Sequence, residues 1–252
     1  MTEAETRALP TTLPPPADAA RSAMAMPLLA PLLPDWVHVS EMDPAMADSA
    51  TLLPEERTFV AVAVERRCRE FAAGRSLARS LLATLGKEAP LRREADGRPA
   101  WPPGIVGSIT HCETLAAVAV ASADDCTGIG IGIDIEANRP LPQGVARRTL
   151  SEREQQWIRR SDPRLAAETL LRVFCAKEAL YKAIYPLARC VLPLNALTVE
   201  RSTRNEGFIA RLGIEVGPFP KDAQLEGRWA IRRGHVAAAV VIRPARPWPA
   251  SR

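Results

Sequence analysis

Two carboxylates in one short segment have the spacing that metal-assisted chemistry on a phosphate requires. Asp134 and Glu136 are two residues apart in GIDIE, so in a strand both side chains would project from the same face. Adjacent carboxylates repel each other unless a cation lies between them, and paired oxygens of this kind suit Mg2+ together with a phosphate-bearing substrate. The alternative for this segment alone is a pair of solvated carboxylates at the end of a strand.

A second pair lies on a predicted helix about forty residues later. Glu178 and Lys182 are four residues apart in KEALYK and therefore share one helix face. An ordinary surface ion pair, worth about 0.3 to 0.5 kcal/mol, is the alternative. The apolar side chains of Phe174, Leu180 and Ile184 place the pair at the edge of the apolar face, where a cleft would lie.

Basic side chains upstream could supply contacts to phosphate groups. Arg75 and Arg79 are four residues apart in a predicted helix, and Arg98 follows Gly97 in a turn-rich segment, so three guanidiniums could meet on one anion. His111 ends the segment GSITH, and its ring could contact a ligand or lie in the core. For the arginines, solvation at the surface is the alternative.

The elements that must position these residues are indicated by periodicity and by turn residues. Residues 36–41 alternate as in a short strand, and Pro54 begins a helical stretch that should end at Gly86, with Gly74 able to divide it. The segment GSITH and the apolar run 115–121 predict a pair of strands.

In the second half, an unusual strand precedes two helices. Residues 128–136, GIGIGIDIE, alternate glycine with isoleucine, which predicts a strand with one face free of side chains, open to close approach by backbone or ligand. Ser151 and Glu154 form a capping box that begins one helix. Pro163 begins a long helix that should end ahead of Pro186.

The two halves resemble each other weakly. Strands are predicted again over 206–243, where HVAAAVVI resembles LAAVAVA of the first half, although alanine-valine runs also recur by chance. A duplicated α+β unit would divide the chain into a Pro/Ala-rich flexible leader, an N-terminal α+β subdomain, a C-terminal α+β subdomain and a tail. We place these at residues 1–34, 35–125, 126–243 and 244–252.

Composition excludes several classes of protein. A chain of 252 residues that is 47% hydrophobic and 25% charged is typical of a soluble globular protein, and its apolar runs are too short to span a membrane. Five scattered cysteines without a CxxC pair indicate neither a disulfide framework nor a zinc site, and they fit a reducing cytoplasm. Aromatic residues make up only 5% of the chain, so nucleic acid is not an expected partner despite the net charge of +4. Met24 and Met26 are alternative starts.

Read in order, five segments resemble the 4'-phosphopantetheinyl transferases, and the enterobactin-synthase type within the surfactin-like group most of all. They are GRSLAR, GRPAWP, GSITH, GIDIE and FCAKEALYKA, and together they span about residues 60 to 185. The resemblance implies a pseudo-dimer of two similar α+β subdomains with the active site between them. It also implies a cytoplasmic, monomeric, Mg2+-dependent enzyme. Such an enzyme transfers the phosphopantetheine arm of coenzyme A to a serine of an apo acyl or peptidyl carrier protein and releases adenosine 3',5'-bisphosphate.

The resemblance also implies a role for each matching residue in the carboxylate-lysine set. Asp134, Glu136 and Glu178 match the carboxylates that hold Mg2+ on the diphosphate, and Asp134 is thereby part of the coenzyme A site. Lys182 matches a catalytic lysine that contacts the phosphates. Glu178 is in addition the implied base for the serine proton.

Further residues are implied to bind the nucleotide. Arg75 and Arg98 match basic positions that hold its phosphates, while Thr110 and His111 match a hydroxyl-histidine pair on the 3'-phosphate. Glu154 aligns with an acidic residue that ligates metal in some members, although its capping-box spacing from Ser151 explains it without any ligand. One more phosphate contact is expected from Arg66, Arg67 or Arg69.

Two other function classes remain as alternatives. A coenzyme A or nucleotide binding module without catalysis would use the basic groove but would give the three carboxylates no purpose. A dinucleotide-binding oxidoreductase is suggested by the glycines of GIGIGIDIE, but their spacing is not G-x-G-x-x-G and no helix follows directly. The carrier and its pathway, whether siderophore, other non-ribosomal peptide or polyketide synthesis, are not indicated by the sequence.

Overall fold

The N-terminal half is a three-stranded antiparallel sheet with one long helix against it. The computed structural model describes residues 27–122, 128–142, 144–202 and 207–243. The sheet has the order β1-β5-β4, and β2 and β3 form a separate two-stranded hairpin. The elements of this half are β1 (His38–Met42), α1 (Pro54–Arg57), α2 (Glu65–Thr84), β2 (Arg92–Arg93), β3 (Pro99–Ala100), β4 (Ile105–His111) and β5 (Ala116–Ser122).

The C-terminal half repeats this plan with a larger sheet. Five antiparallel strands have the order β6-β10-β9-β8-β7, and the longest helix of the described residues packs on β6 and β10. The elements are β6 (Gly130–Ala137), α3 (Val145–Thr149), α4 (Glu152–Arg160), α5 (Pro163–Ala188), β7 (Leu197–Arg201), β8 (Gly207–Leu212), β9 (Gln224–Arg232) and β10 (His235–Ile242). The α+β prediction is confirmed, and the two sheet-rich halves fit a pseudo-dimer.

Strand β5 shows how one sequence pattern serves two cores. Its residues 117, 119 and 121 are fully buried alanines that join the core between the halves, whereas Val118 and Val120 pack with α2. Side chains two apart share a strand face, so the run AVAVA presents methyl groups to one layer and branched side chains to the other. The small alanine face lets the isoleucines of β6 fill the space between the halves.

The edge strands β4 and β6 meet at the seam between the halves through side-chain hydroxyls. The backbone N–H of Ile133 donates to Ser108 Oγ at 3.2 Å, and that of Ile135 donates to Thr110 Oγ1 at 3.1 Å. An edge strand presents unpaired N–H groups that are unfavourable when buried. Hydroxyls from the other half therefore accept hydrogen bonds that a neighbouring backbone would otherwise accept.

The glycines of β6 face the backbone of α5. A Cβ added to Gly130 would lie 2.2 Å from the carbonyl oxygen of Ala183, and one added to Gly132 would lie 1.8 Å from that of Ala179. Both distances are far inside van der Waals contact. The predicted strand face without side chains is thus the surface on which the helix rests, with the backbone of α5 as the close neighbour.

Three expectations about element ends need correction. The helix expected from Pro54 is interrupted after Val60 and resumes at Glu65, while Gly74 lies inside α2, where an added Cβ would be 3.0 Å from Ile109 Cγ2. Gly74 therefore permits close packing and does not divide the helix. Helix α5 continues past Pro186 to Ala188, since a proline this near the end removes little helix hydrogen bonding.

The leader expected to reach residue 34 is too long. Leu28 and Leu29 are fully buried in the core between the halves, and their N–H groups donate to the Glu41 carboxylate at 3.1 and 2.7 Å. Burial of these leucines stabilises the packed segment through the hydrophobic effect, although its many prolines suggested an extended leader. The alternative starts, the predicted boundary at residues 125 and 126, and the tail from residue 244 lie outside the described residues. Among the described helices, none is both long and apolar enough to cross a membrane.

Replacement of Gly132 by alanine tests the contact between β6 and α5. We expect Gly132→Ala to lower the free energy of unfolding by about 3 kcal/mol, because the new methyl group overlaps a backbone oxygen that a side-chain rotation cannot move. Urea unfolding followed by circular dichroism measures this. The control is Gly144→Ala, where the methyl group meets no atom within 4 Å and only the left-handed φ of 86° is unfavourable, at about 1 kcal/mol. Equal losses in the two variants would contradict the packing argument.

Candidate active site

A cleft of about 930 Å3 lies between the two halves. Helix α2, the β2–β3 hairpin and β4 contribute its N-terminal wall, while β6, α5 and the residues after α5 contribute the other. Four of the residues predicted as site residues line it: Arg75, Arg98, His111 and Lys182. Asp134, Glu136 and Glu178 are close to Lys182 but are not among the residues that line the cleft.

Asp134 is the centre of the polar contacts beside the cleft. It is 4% exposed, and its Oδ1 accepts hydrogen bonds from Lys182 Nζ at 2.7 Å and from Thr110 Oγ1 at 3.2 Å. Its Oδ2 is buried and has no hydrogen-bond partner within the described ranges. Burial alone would lower the pKa of Lys182, but the Asp134 carboxylate and its hydrogen bond raise that pKa above its ordinary value. Lys182 is therefore charged at neutral pH.

Glu136 and Glu178 complete a group of carboxylates around Asp134. Burial and the charge of Asp134 raise the pKa of Glu136 to about 7, and the same two causes raise the pKa of Glu178. A buried oxygen without a partner, next to carboxylates that repel each other, is an environment that a cation would stabilise. In the observed conformation, however, no three His, Cys, Asp or Glu side chains of the described part are arranged to hold a metal ion.

Arg75 lies on α2 and lines the cleft with a buried guanidinium. It is 3% exposed, its guanidinium carbon lies 4.6 Å above the ring centroid of Phe71, and its Nε is 4.0 Å from Glu56 Oε1. Burial lowers its pKa to about 10 despite Glu56, and Nε and Nη1 have no hydrogen-bond partner among the residues described. Arg79, which the sequence grouped with Arg75, instead forms a 2.7 Å ion pair with Glu56.

His111 identifies which upstream arginine reaches the cleft. Its Nε2 contacts Arg67 Nη1, its Nδ1 is 3.4 Å from Glu70 Oε2, and Arg67 lines the cleft. All three arginines lie 3.5 to 3.8 Å from an acid of their own helix, but Arg66 and Arg69 are not among the residues that line the cleft. Arg67 is therefore the member of the trio that could reach a ligand.

Thr110 has a use that the sequence did not indicate. Its one hydroxyl proton goes to Asp134 Oδ1, and its oxygen also accepts from the N–H of Ile135. The side chain is 3% exposed and does not line the cleft. In this conformation the hydroxyl orients Asp134 and joins the halves, so a direct contact with a phosphate stays a prediction.

Glu154 is fully occupied by structural contacts. It completes the predicted capping box with Ser151, with its Oε2 accepting from the Ser151 N–H at 2.7 Å, while its Oε1 accepts from the Val199 N–H at 2.6 Å. Lys177 Nζ is 2.5 Å from the same Oε2 and also donates to the carbonyls of Thr149 and Leu197. Glu154 is thus a buried structural residue here. Lys177, the residue just before Glu178 on α5, links that helix to α4 and β7.

Sequence reasoning missed several residues of the cleft. Arg93 and Arg189 add two guanidiniums to its lining, and Tyr181 and Tyr185 of α5 form a wall with ring centroids 5.4 Å apart. A signal existed for the tyrosines, since they lie three residues after Glu178 and three after Lys182 on the same helix. No local pattern distinguished Arg93 from the other arginines.

Comparison with known proteins gives consistent matches over both halves. The family model described as the 4'-phosphopantetheinyl transferase N-terminal domain matches residues 55–121, and that of the 4'-phosphopantetheinyl transferase superfamily matches residues 130–240.

Three similar relatives carry related names. The chain is 38% identical to the 4'-phosphopantetheinyl transferase Svp of Streptomyces mobaraensis, over 85% of this chain and 89% of that protein. It is 40% identical to Npt of Nocardia iowensis, over 78% and 96% of the two chains. It is 36% identical to PptT of Mycobacterium tuberculosis, over 76% and 86%. Each of these is named a 4'-phosphopantetheinyl transferase.

The buried pair of Lys177 and Glu154 generates a stability prediction. We expect Lys177→Met to lower the free energy of unfolding by about 3 to 5 kcal/mol, because it leaves the carboxylate of Glu154 buried without its cation. The double variant Lys177→Met with Glu154→Gln should regain part of this loss, since it removes the unpaired charge but sets the new amide NH2 against one of the two backbone N–H donors of Ser151 and Val199. Urea unfolding of the three proteins is the measurement. A single variant as stable as the unaltered protein would show that the pair is not buried as described.

Proposed function

The chain belongs to the 4'-phosphopantetheinyl transferase superfamily, and we propose that the cleft between its halves is the site of transfer. In this reaction, the arm of coenzyme A moves to a serine of an apo acyl or peptidyl carrier protein. The observation that carries the proposal is the pairing of a cleft lined by Lys182, Arg75 and Arg98 with an adjacent group of carboxylates. Such a cleft can hold an anionic diphosphate and a cation together.

The residues of this chain have distinct parts in the proposed reaction. The serine oxygen attacks the β-phosphorus of coenzyme A, and the bond from that phosphorus to the oxygen bridging to the α-phosphate breaks. Adenosine 3',5'-bisphosphate leaves with the electron pair. Glu178, whose pKa is raised by burial and by the charge of Asp134, accepts the serine proton. Lys182 stabilises the negative charge that develops on the leaving phosphate.

We propose that Asp134, Glu136 and Glu178 would hold Mg2+. The partnerless oxygen of Asp134 and the raised pKa values of both glutamates fit this group. The ion would supply positive charge that neutralises the diphosphate. Arg75, Arg98 and His111 are the proposed contacts to the nucleotide phosphates, with Arg67 beside His111 as a further one.

The wider setting is also part of the proposal. Two halves within one chain support a monomer of the enterobactin-synthase type, and scattered cysteines support a cytoplasmic location. The pathway we propose is siderophore or other non-ribosomal peptide or polyketide synthesis, because these use the carrier proteins that such enzymes modify.

Mass spectrometry of intact carrier proteins tests the reaction. Apo acyl and peptidyl carriers are incubated with the full chain and coenzyme A, with and without Mg2+. We expect a Mg2+-dependent gain of one phosphopantetheine group on at least one carrier. Binding of coenzyme A without transfer to any carrier would favour the non-catalytic binding module.

Replacement of Glu178 tests its role as the base. We expect Glu178→Gln to reduce the transfer rate by roughly 100-fold or more while the chain stays folded, because the amide cannot accept the serine proton. The matched control is Glu168→Gln, a partly exposed glutamate on the same helix that pairs with Arg172. If the two variants were equally active in the mass-spectrometric assay, Glu178 would not be the base.

The protonation of His111 gives a prediction about pH. Burial and then the guanidinium of Arg67 lower the pKa of His111 to about 4, although Glu70 acts in the opposite direction. The free protein therefore carries a neutral His111 at pH 7. A phosphate beside the ring favours the protonated form, so we expect bound adenosine 3',5'-bisphosphate to raise the pKa of His111 above about 4.

Nuclear magnetic resonance titration of the histidine ring protons measures this shift. His38 and His235 lie outside the cleft lining and are internal controls. An unchanged pKa of His111 on addition of the ligand would exclude it as a phosphate contact.

A further inference from the structure

A tight turn between β2 and β3 carries Arg98 into the cleft. The N–H of Gly97 donates to the Glu94 carbonyl at 2.9 Å, and the N–H of Glu94 donates to the Arg98 carbonyl at 2.8 Å. Gly97 has a φ of 91°, which glycine adopts without strain. The backbone of the turn is therefore well determined, and the orientation of the long arginine side chain is what remains to be fixed.

Asp96 binds both the side chain and the backbone of Arg98. Its Oδ2 accepts from the side-chain Nε of Arg98 at 2.8 Å, and its Oδ1 accepts from the backbone N–H of Arg98 at 3.2 Å. A carboxylate and a guanidinium form a charge-assisted hydrogen bond, which is stronger than a neutral one. The Nη2 of Arg98 is buried and has no hydrogen-bond partner in the described part of the chain, so part of the guanidinium stays available.

Tyr185 brings the second half of the molecule to this contact. The guanidinium carbon of Arg98 lies 5.3 Å from the ring centroid of Tyr185, a distance suited to a cation–π interaction. The side-chain hydrogen bond from Arg98 is the main cause of the lowered pKa of Asp96. An aspartate of the N-terminal hairpin, an arginine of the same hairpin and a tyrosine of α5 therefore meet across the cleft.

The presence of Asp96 in this place requires an explanation. It lines a cleft whose basic residues suit an anionic ligand, and a carboxylate there repels phosphate. Its net effect on binding is favourable only if the order that it gives to Arg98 outweighs that repulsion. The arginine would otherwise lose rotamer freedom on binding, at a cost in affinity.

We propose that Asp96 is a positioning residue that fixes the Arg98 guanidinium against Tyr185, ready for the phosphates of coenzyme A. The inference rests on the proposed function, because it assigns coenzyme A to this cleft. It adds a role for an acidic residue and for a contact between the two halves. Asp96 acts through Arg98 and touches no reacting atom.

The sign of the change in affinity distinguishes positioning from simple repulsion. We expect Asp96→Asn to weaken coenzyme A binding by about five- to tenfold, measured by isothermal titration calorimetry on the full chain without carrier protein. If Asp96 only repelled the ligand, loss of its charge would tighten binding. The matched control is Glu88→Gln, an exposed acid of the same half, which should leave the dissociation constant unchanged.

A double-mutant cycle shows whether Asp96 acts through Arg98. In the background of Arg98→Gln, Asp96→Asn should cause no further weakening, because there is no guanidinium left to orient. Equal weakening in both backgrounds would overturn the inference, and so would tighter or unchanged binding by Asp96→Asn alone. Thermal unfolding of each variant separates these results from loss of the fold. Failure of the unaltered protein to bind coenzyme A would instead overturn the proposed function, and this inference with it.

Discussion

The arrangement of the site depends on the close approach of α5 to β6. Every second residue of a strand advances by about 6.6 Å, and every fourth residue of a helix advances by about 6 Å. Alternate residues of β6 can therefore stay opposite every fourth residue of α5. Gly130 meets Ala183, Gly132 meets Ala179, and the backbone of Asp134 meets Cys175 Sγ at 3.3 Å. The two elements run antiparallel in this register. The same register places Asp134 within reach of Lys182 and within the electrostatic influence of Glu178.

The seam between the halves is a second constraint on the position of β6. One face of β6 rests on the helix, one edge pairs with β10, and the other edge gives its N–H groups to Ser108 and Thr110 of β4. Thr110 contributes to both constraints. Its hydroxyl accepts from a backbone N–H of β6 across the seam and donates to the Asp134 carboxylate, which α5 approaches from the other side. Loss of the Thr110 hydroxyl would therefore remove a hydrogen bond from the seam and one from Asp134.

The sequence was informative where a local pattern had one physical explanation. The glycine-isoleucine alternation predicted a strand open to close approach, the S-x-x-E spacing predicted a capping box, and the valine-rich runs predicted strands. Contacts between distant segments were not visible in this way. Lys177 lies next to Glu178 in the sequence, yet no nearby sequence pattern shows that the Lys177 side chain binds Glu154 and the carbonyl of Leu197. Strand β7 was missed because five residues are too few to show a clear alternation. The buried leucines before residue 34 were missed because the prolines around them suggested an extended segment.

The charges of the site explain why its two sides are complementary to one ligand. On the cleft wall, Arg75 and Arg98 have buried N–H donors, and beside it Asp134 has a buried oxygen, that find no hydrogen-bond partner among the residues the structure describes. Each such group is unfavourable in the free protein, by about 1 to 3 kcal/mol for a lost hydrogen bond. Lys182 binds Oδ1 of Asp134 and Arg79 binds Oε2 of Glu56, so neither contact reaches these atoms. An anionic ligand alone would satisfy the arginines and leave Asp134 unpaired, and a cation alone would do the reverse. Under the proposed function, a diphosphate that arrives with a divalent cation satisfies both at once, which is a physical reason for the site to bind them together.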